Sequence, residues 1–142
     1  MIVGFNLTKI NVEKKKPIKG KIQITHDLTI NKVTQQSLPT QEKKQALVFD
    51  FTFTINYEPA IGDITLGGNI IYFNEDIKTT ESIQQAWKKN KKIPSATSVE
   101  VLNVIFARCN IKALELSTDL GLPSHLPLPR INLKEDPTSY IG

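Results

Sequence analysis

The sequence has few residues that could carry covalent, redox or metal chemistry. Its 142 residues contain one cysteine, two histidines and one tryptophan. The single Cys109 excludes an internal disulfide, which fits a reducing cytoplasmic location. His26 and His125 fall on different predicted elements, and neither has a cysteine or histidine partner at the spacing of metal ligands. We therefore expect no metal and no other cofactor.

The short motifs that mark common catalytic sites are also missing. The chain has no nucleophile elbow, no phosphate-binding loop, no HExxH and no paired carboxylates. Asp50 and Glu58 lie on or beside an aromatic strand, where isolated carboxylates face solvent more often than they perform catalysis. The sequence therefore predicts that the protein is not an enzyme.

Arginine is scarce although the chain is basic. The net charge is +4, and lysine carries almost all of the positive charge because only Arg108 and Arg130 are arginines. Nucleic-acid-binding proteins depend on arginine for bidentate contacts with bases and phosphates. The lysines cluster at predicted turns, at 14–16, 43–44 and 88–92, where solvated charge is the simpler interpretation and an anionic surface the alternative. Nucleic acid is therefore not the expected partner.

Long hydrophobic runs are absent. No segment approaches the about 18 apolar residues that cross a membrane. The first ten residues alternate between apolar and polar and lack a secretory core. With 39% hydrophobic residues, the chain has the length and composition of one domain, 1–142.

A long helix is the most clearly marked element, and we predict it over 97–121. Thr97 and Glu100 have the spacing of a capping box, and Gly121 provides a left-handed cap before Pro123. The apolar residues expected on its core face are Leu102, Ile105, Phe106, Cys109, Ala113, Leu116 and Leu120. Because Val101 and Val104 make the first turns apolar on almost every side, we expect a second copy of the chain to cover part of them.

Four strands precede this helix. Alternating apolar residues predict strands over 2–12, 22–30, 47–57 and 64–72, with a bulge near Thr8 in the first strand. We expect the turn at 13–20 to join the first two strands as a hairpin, and 31–45 to form a long exposed crossover. A short helix should begin near Thr79 or Thr80. The predicted fold is α+β, with a four-stranded antiparallel sheet followed by a short and a long helix packed on one face.

The last twenty residues are rich in proline and leucine. Four prolines between Pro123 and Pro137 prevent regular structure. The apolar residues of this tail, which make it too hydrophobic for a free end, are Leu122, Leu126, Leu128, Ile131 and Leu133.

Two segments are similar to the SecB family of export chaperones. Phe106-Ala107-Arg108 matches the aromatic-Ala-Arg element of the second helix in that family. The tail fits the family segment Gly-x4-Leu-x-Leu-x2-Val-Asn-Phe through Gly121, Leu126, Leu128, Ile131, Asn132 and Leu133. The order of four strands, a short helix and a long helix is similar too.

The resemblance implies a chaperone that holds non-native polypeptide in apolar grooves, with a link to protein export. The expected client-binding residues are Leu122, Leu126, Leu128 and Ile131, with Val33 and Leu38 of the crossover as the opposite wall of the groove. The alternative is that these leucines close the protein's own core.

The resemblance also implies a homo-oligomer, as a dimer of dimers in which first strands meet and helices lie between two sheets. The expected interface residues are Val3, Phe5, Leu7, Val101, Asn103 and Val104. Asn103 could instead be a satisfied amide within the core.

The charge departs from the family. Its bacterial members are acidic and dock on the SecA motor through an acidic C-terminus, whereas this chain is basic and ends KEDPTSYIG. This departure weighs against docking on SecA. The alternative function is a small basic module that binds nucleic acid or one dedicated protein partner.

Overall fold

The apolar alternation of the first half builds one antiparallel sheet, and two helices follow it. The computed structural model describes residues 1–39 and 44–129. The strands are β1 (Ile2–Lys14), β2 (Gln23–Ser37), β3 (Gln45–Glu58) and β4 (Gly62–Tyr72), and the helices are α1 (Ile77–Asn90) and α2 (Ser95–Leu120). The predicted α+β class, with a four-stranded antiparallel sheet and then two helices, is confirmed.

The strands are arranged in the order β1-β4-β3-β2, which is a Greek key. The predicted hairpin between the first two strands is wrong, because β1 and β2 form opposite edges of the sheet. The chain between them passes the β3–β4 turn, where the backbone N–H of Lys15 donates a 2.7 Å hydrogen bond to the carbonyl oxygen of Ile61. Turn residues show where the chain leaves a strand, but they do not show which edge the next strand joins.

One face of the sheet is the core, and both helices cover it. The alternating side chains of β3 are all buried, at 2% exposure or less, as predicted: Leu47, Phe49, Phe51, Phe53, Ile55 and Tyr57. Ile83 and Trp87 of α1 and Ile105 of α2 pack in the same cluster. The opposite face of β3 is half-buried and mainly polar.

The predicted crossover at 31–45 is wrong in most of its length. β2 continues to Ser37 and pairs with β3, with Val33 opposite Phe49. The register shifts between Ile30 and Lys32, which inserts Asn31 as a bulge and lets Ile30 and Val33 both face the core. This bulge breaks the alternation that would otherwise predict a strand. Positions 40–43 of the predicted crossover lie outside the described residues.

The predicted bulge in β1 is confirmed at Thr8, where the register with β4 shifts between Leu7 and Lys9. Gly68 lies opposite Leu7, and a Cβ atom added to it would overlap the carbonyl oxygen of Asn6. The backbone of β1 therefore approaches β4 closely at Gly68, where a side chain would not fit.

Both helices begin earlier than predicted. Asp76 caps α1 by accepting a 3.1 Å hydrogen bond from the backbone N–H of Lys78. α2 begins at Ser95 with Pro94 as its N-cap residue and no side-chain cap, so the predicted capping box at Thr97 is wrong. The helix begins two residues before Thr97, directly after Pro94, whose backbone is extended at ψ 143°.

The predicted end of α2 at Gly121 is confirmed. Gly121 has φ +66°, and its N–H bonds the carbonyl oxygens of Ser117 and Thr118.

A narrow stripe of α2 meets the sheet, and it contains every fourth residue: Thr97, Val101, Ile105, Cys109, Ala113 and Ser117. Phe106 and Leu120, which we predicted on the core face, are instead exposed. Because α2 carries apolar residues on more than one side, its periodicity does not determine which side packs on the sheet.

Candidate functional site: the β2 groove and the C-terminal segment

An open groove of about 620 Å³ separates β2 from the junction of α1 and α2. We call it the β2 groove, and its lining residues are Leu28, Thr29, Ile30, Asn31, Trp87, Lys91, Ile93 and Ser98. Trp87 is 9% exposed and belongs to the core. Leu28, Ile30 and Ile93 are half-buried and pack against that core, so the floor of the groove is apolar.

β2 has a free edge beside this groove. In the described residues β2 pairs with β3 on one side only. The other side of this fifteen-residue strand therefore presents backbone N–H and C=O groups without a strand partner.

Lys91 lines the groove where α1 ends, and further lysines are its neighbours in the sequence. Lys91 adopts a left-handed conformation with φ +54°, and its N–H bonds the carbonyl oxygen of Trp87. Its ammonium lies 5.4 Å from the centre of the Trp87 ring, within the range of a cation–π contact. Lys88, Lys89 and Lys92 are exposed beside it.

The segment after α2 folds back over the far end of the sheet. Leu122 is buried at 6% exposure and joins the core. Tyr57 of β3 donates a 2.8 Å hydrogen bond from its hydroxyl to the carbonyl oxygen of Pro123. Burial raises the pKa of Tyr57, and a hydrogen bond with Ser117 partly offsets this effect.

The two histidines, which we predicted on separate elements, meet at this end of the sheet. The rings of His26 and His125 pack edge to face with centroids 5.4 Å apart. Nε2 of His125 lies 2.9 Å from Oδ1 of Asn110, and Nε2 of His26 lies 3.3 Å from the carbonyl oxygen of His125. Nδ1 of His125 is buried without a hydrogen-bond partner in the described part of the chain.

These contacts affect the protonation of His125. Burial lowers its pKa, and the charge of His26 lowers it further. No three histidine, cysteine or acidic side chains within residues 1–39 and 44–129 come together as a metal site. The histidine pair therefore attaches the segment after α2 to β2 and α2. Nothing in the sequence spacing indicated this contact, because it joins residues 99 positions apart.

The predicted client-binding residues do not form one surface. Leu128 is 59% exposed and Leu126 is half-buried, so both stay candidates for client contact. Leu122 and Val33 are core residues, which corrects their assignment as exposed contacts. Ile131 lies outside the described residues.

Leu38 and the C-terminal segment also lie at opposite ends of β2. His125 contacts His26 near the start of β2, whereas Leu38 follows its last residue. At about 3.3 Å per residue the two ends are about 40 Å apart, so Leu38 does not face the C-terminal segment of the same chain. The misplaced crossover explains this error, because the prediction treated 31–45 as a movable loop.

The predicted interface residues divide into exposed and buried groups. Val3 is 47% exposed, Asn103 is exposed and Val104 is half-buried. Phe5 and Leu7 are half-buried, and Phe5 stacks on Phe51 with ring centroids 5.6 Å apart.

One interface residue was wrongly assigned. Val101 is fully buried against the sheet, which corrects its assignment to an interface. The exposed apolar residues of α2 that the prediction did not assign to the interface are Val99, Phe106, Ile111 and Leu120.

The thiol of Cys109 is not a reactive nucleophile. It is buried on the sheet-facing stripe of α2, and burial raises the pKa of its thiol to about 12. A thiol in this environment stays protonated at neutral pH and packs as a small apolar side chain.

Comparison with known proteins shows a likeness to a solved structure. No protein-family model and no curated protein matches the chain. Among solved structures, the chain is similar to the SecB-like chaperone Rv1957 of Mycobacterium tuberculosis, solved in complex with a ChAD peptide from the Rv1956 HigA1 antitoxin. The similarity covers 92% of this chain and 90% of the other, with a TM-score of 0.51 and 14% sequence identity. The chain has a SecB-like fold.

The SecB-like fold places the β2 groove and the C-terminal segment on the helical side of the sheet. No helix in the described ranges has the length and apolarity to span a membrane.

Proposed function

We propose that the protein is a chaperone that holds non-native polypeptide at exposed apolar surface. The observation that carries this proposal is the β2 groove, whose apolar floor lies beside an unpaired strand edge. The SecB-like fold supports it, because the similar chaperone of M. tuberculosis was solved with a bound peptide.

The groove offers two sources of affinity that do not depend on client sequence. Apolar client side chains gain roughly 25 cal/mol for each Å² that they bury against Leu28, Ile30 and Ile93. The free edge of β2 can bond to the backbone of any extended segment. Leu126 and Leu128 follow His125, which contacts β2 near its start, and they add apolar surface there.

We also propose that the protein works without catalysis, in the cytoplasm, and as a homo-oligomer. The buried, protonated Cys109 is consistent with the absence of catalysis. The exposed Val3, Val99, Phe106 and Ile111 provide apolar surface that a second copy could cover. By resemblance to SecB chaperones the assembly would be a dimer of dimers. We do not extend the proposal to docking on SecA, because the chain carries a net charge of +4.

The test is suppression of aggregation of an unrelated denatured protein at low and high salt. We expect suppression in both, because apolar capture is not screened by salt. Ile93→Ser should weaken suppression, and Ile18→Ser, the same change at an exposed isoleucine away from the groove, should weaken it less. Loss of suppression in high salt would support the basic-module alternative, and activity toward one protein in a broad panel would support a dedicated partner.

The dedicated partner is the second candidate because the peptide bound by the similar chaperone comes from an antitoxin. Sedimentation measures the assembly separately, and a monomer at micromolar concentration would contradict the proposed oligomer.

A further inference from the structure

We propose that the β2 groove selects extended polypeptide segments in which acidic residues flank apolar ones, and that such a segment adds to β2 as a further strand. This inference rests on the proposed chaperone function and names the class of client.

The floor of the groove matches the spacing of an extended chain. Leu28 and Ile30 lie two positions apart on the core-facing side of β2, opposite Phe53 and Phe51. Side chains of an added strand alternate between the two faces, so every second client residue would lie over the groove. Apolar residues at alternate client positions therefore fit the floor formed with Trp87.

The free edge of β2 determines where a client can pair with the sheet and where that pairing ends. Backbone groups of β2 on the side away from β3 have no strand partner in the described chain, and an extended peptide can pair with them. The bulge at Asn31 interrupts the ladder at the end of the groove. Pairing in one continuous register is therefore expected along the segment before Asn31.

Lys91 is the charged residue that lines the groove among the described residues, and the charged residues next to it in the sequence are also positive. The sequence between Glu81 and Glu100 contains no acidic residue, and its charged residues are Lys88, Lys89, Lys91 and Lys92. None of these lysines forms an ion pair with another described residue. Asp27 of β2 pairs opposite Thr54 and therefore faces the other side of the sheet.

Carboxylates beside the apolar anchors of a client would meet this cluster within a Debye length of about 8–10 Å, whereas client lysines would be repelled.

Polypeptide fits this surface better than nucleic acid does. Single-stranded nucleic acid is bound by exposed aromatic rings that stack on bases. Among the described residues, the only aromatic ring that lines the groove is Trp87, which is 9% exposed and already faces the Lys91 ammonium.

The test uses the full chain and three labelled fifteen-residue peptides with the same alternating leucine and valine anchors. The flanking residues are glutamate in the first, glutamine in the second and lysine in the third. We expect fluorescence anisotropy to give the tightest Kd for the glutamate peptide and the weakest for the lysine peptide, about tenfold apart or more. The difference should shrink in high salt, while binding of the glutamine peptide should persist. N-methylation of alternate amides in the glutamate peptide should weaken binding if the client pairs with β2.

The matched variants each remove three exposed lysines. K88Q/K89Q/K92Q changes the groove cluster and keeps Lys91, whose backbone caps α1. K16Q/K19Q/K21Q removes the same charge from the connection between β1 and β2, where these lysines have no ion pair in the described chain. We expect the groove variant to lose the preference for glutamate over lysine, and the control variant to retain it.

Equal Kd values for the three peptides, or an equal loss in both variants, would overturn the inference. Displacement of the glutamate peptide by a tighter-binding oligonucleotide would also overturn it, as would a changed oligomeric state of the groove variant alone. If the glutamine peptide and denatured proteins bind without any charge preference, only this inference fails. If neither peptide nor denatured protein binds, the proposed chaperone function fails as well.

Discussion

The hydroxyl of Tyr57 donates a 2.8 Å hydrogen bond to the carbonyl oxygen of Pro123, which ties the segment after α2 to the end of the central strand β3. Tyr57→Phe leaves this partly buried carbonyl without its donor and should lower the free energy of unfolding by about 1 kcal/mol. Urea denaturation measures the loss. Tyr72→Phe is the control, because no hydrogen bond of its hydroxyl is present in the described chain, and its effect should be smaller. Equal losses in the two variants would show that the hydrogen bond contributes nothing.

His125 should make stability depend on pH. Its folded pKa is lowered from the ordinary 6.5, so the unfolded state binds more protons at acidic pH. Stability should therefore fall as pH drops below about 6.5 and through the lowered folded pKa, with no further loss from this group below it. His125→Gln should flatten this part of the curve. His26→Gln should keep most of it, because burial is the larger cause of the shift. An unchanged slope in His125→Gln contradicts the assignment.

Two adjacent glycines should respond differently to alanine. At Gly68 the new Cβ atom would overlap the carbonyl oxygen of Asn6, so Gly68→Ala should destabilise the protein by about 1–3 kcal/mol and weaken β1–β4 pairing. At Gly67 the Cβ atom would approach Cβ of Lys9 at 3.3 Å, and Gly67→Ala should stay within about 1 kcal/mol of neutral. Thermal unfolding and amide exchange of β1 measure the two effects, and the opposite ranking would contradict the register.

Substitution of Phe51 tests which face of β3 lies in the core. It is 2% exposed and stacks on Phe5, so Phe51→Ala should lower the free energy of unfolding by about 3–5 kcal/mol. Thr54 lies on the opposite face, and Thr54→Ala should change it by less than about 0.5 kcal/mol. Chemical denaturation of the two variants measures both free energies of unfolding. A decrease below about 1 kcal/mol for Phe51→Ala would show that the predicted buried face of β3 is wrong.

Variants of Leu126 and Leu128 distinguish a role in client contact from a role in core packing. The double change to serine should reduce aggregation suppression with little change in melting temperature, because Leu128 is 59% exposed and Leu126 is half-buried. Leu122→Ser, in the core, should instead destabilise the protein by about 2–5 kcal/mol. A joint loss of suppression and stability in the double variant would mean that these leucines only close the core.

The sequence predicts those parts of the fold that have strong local signals. The unbroken alternation from Leu47 to Tyr57 identifies β3 and its buried face, and Gly121 marks the end of α2. The bulge at Asn31 hides the second half of β2, because it shifts the side-chain phase between Ile30 and Val33. Local signals also do not specify which strands are neighbours, so the positions of β1 and β2 at opposite edges were not predictable.

The candidate site was predicted less well than the fold. The composition of the C-terminal segment indicates an apolar surface, but it does not distinguish the buried Leu122 from the exposed Leu128. The β2 groove was missed because Leu28 and Trp87 belong to elements far apart in sequence. From the sequence each is predicted to be an ordinary core residue, and only the tertiary structure brings the two together beside the free edge of β2.

The Greek-key order has a consequence for synthesis on the ribosome. β1 emerges before the other strands, but in the described residues it pairs only with β4. Phe5 therefore cannot pair with Ile70 until β4 has been synthesised. β2, β3 and β4 can pair in succession as each leaves the exit tunnel, because they are neighbours both in the chain and in the sheet. Closing the long loop to β1 has the largest entropic cost, so β1 joins late. Until then, the apolar side chains of β1 are exposed in the growing chain. This chain thus passes through an aggregation-prone stage, which is the kind of state that the proposed chaperone function would protect in other proteins.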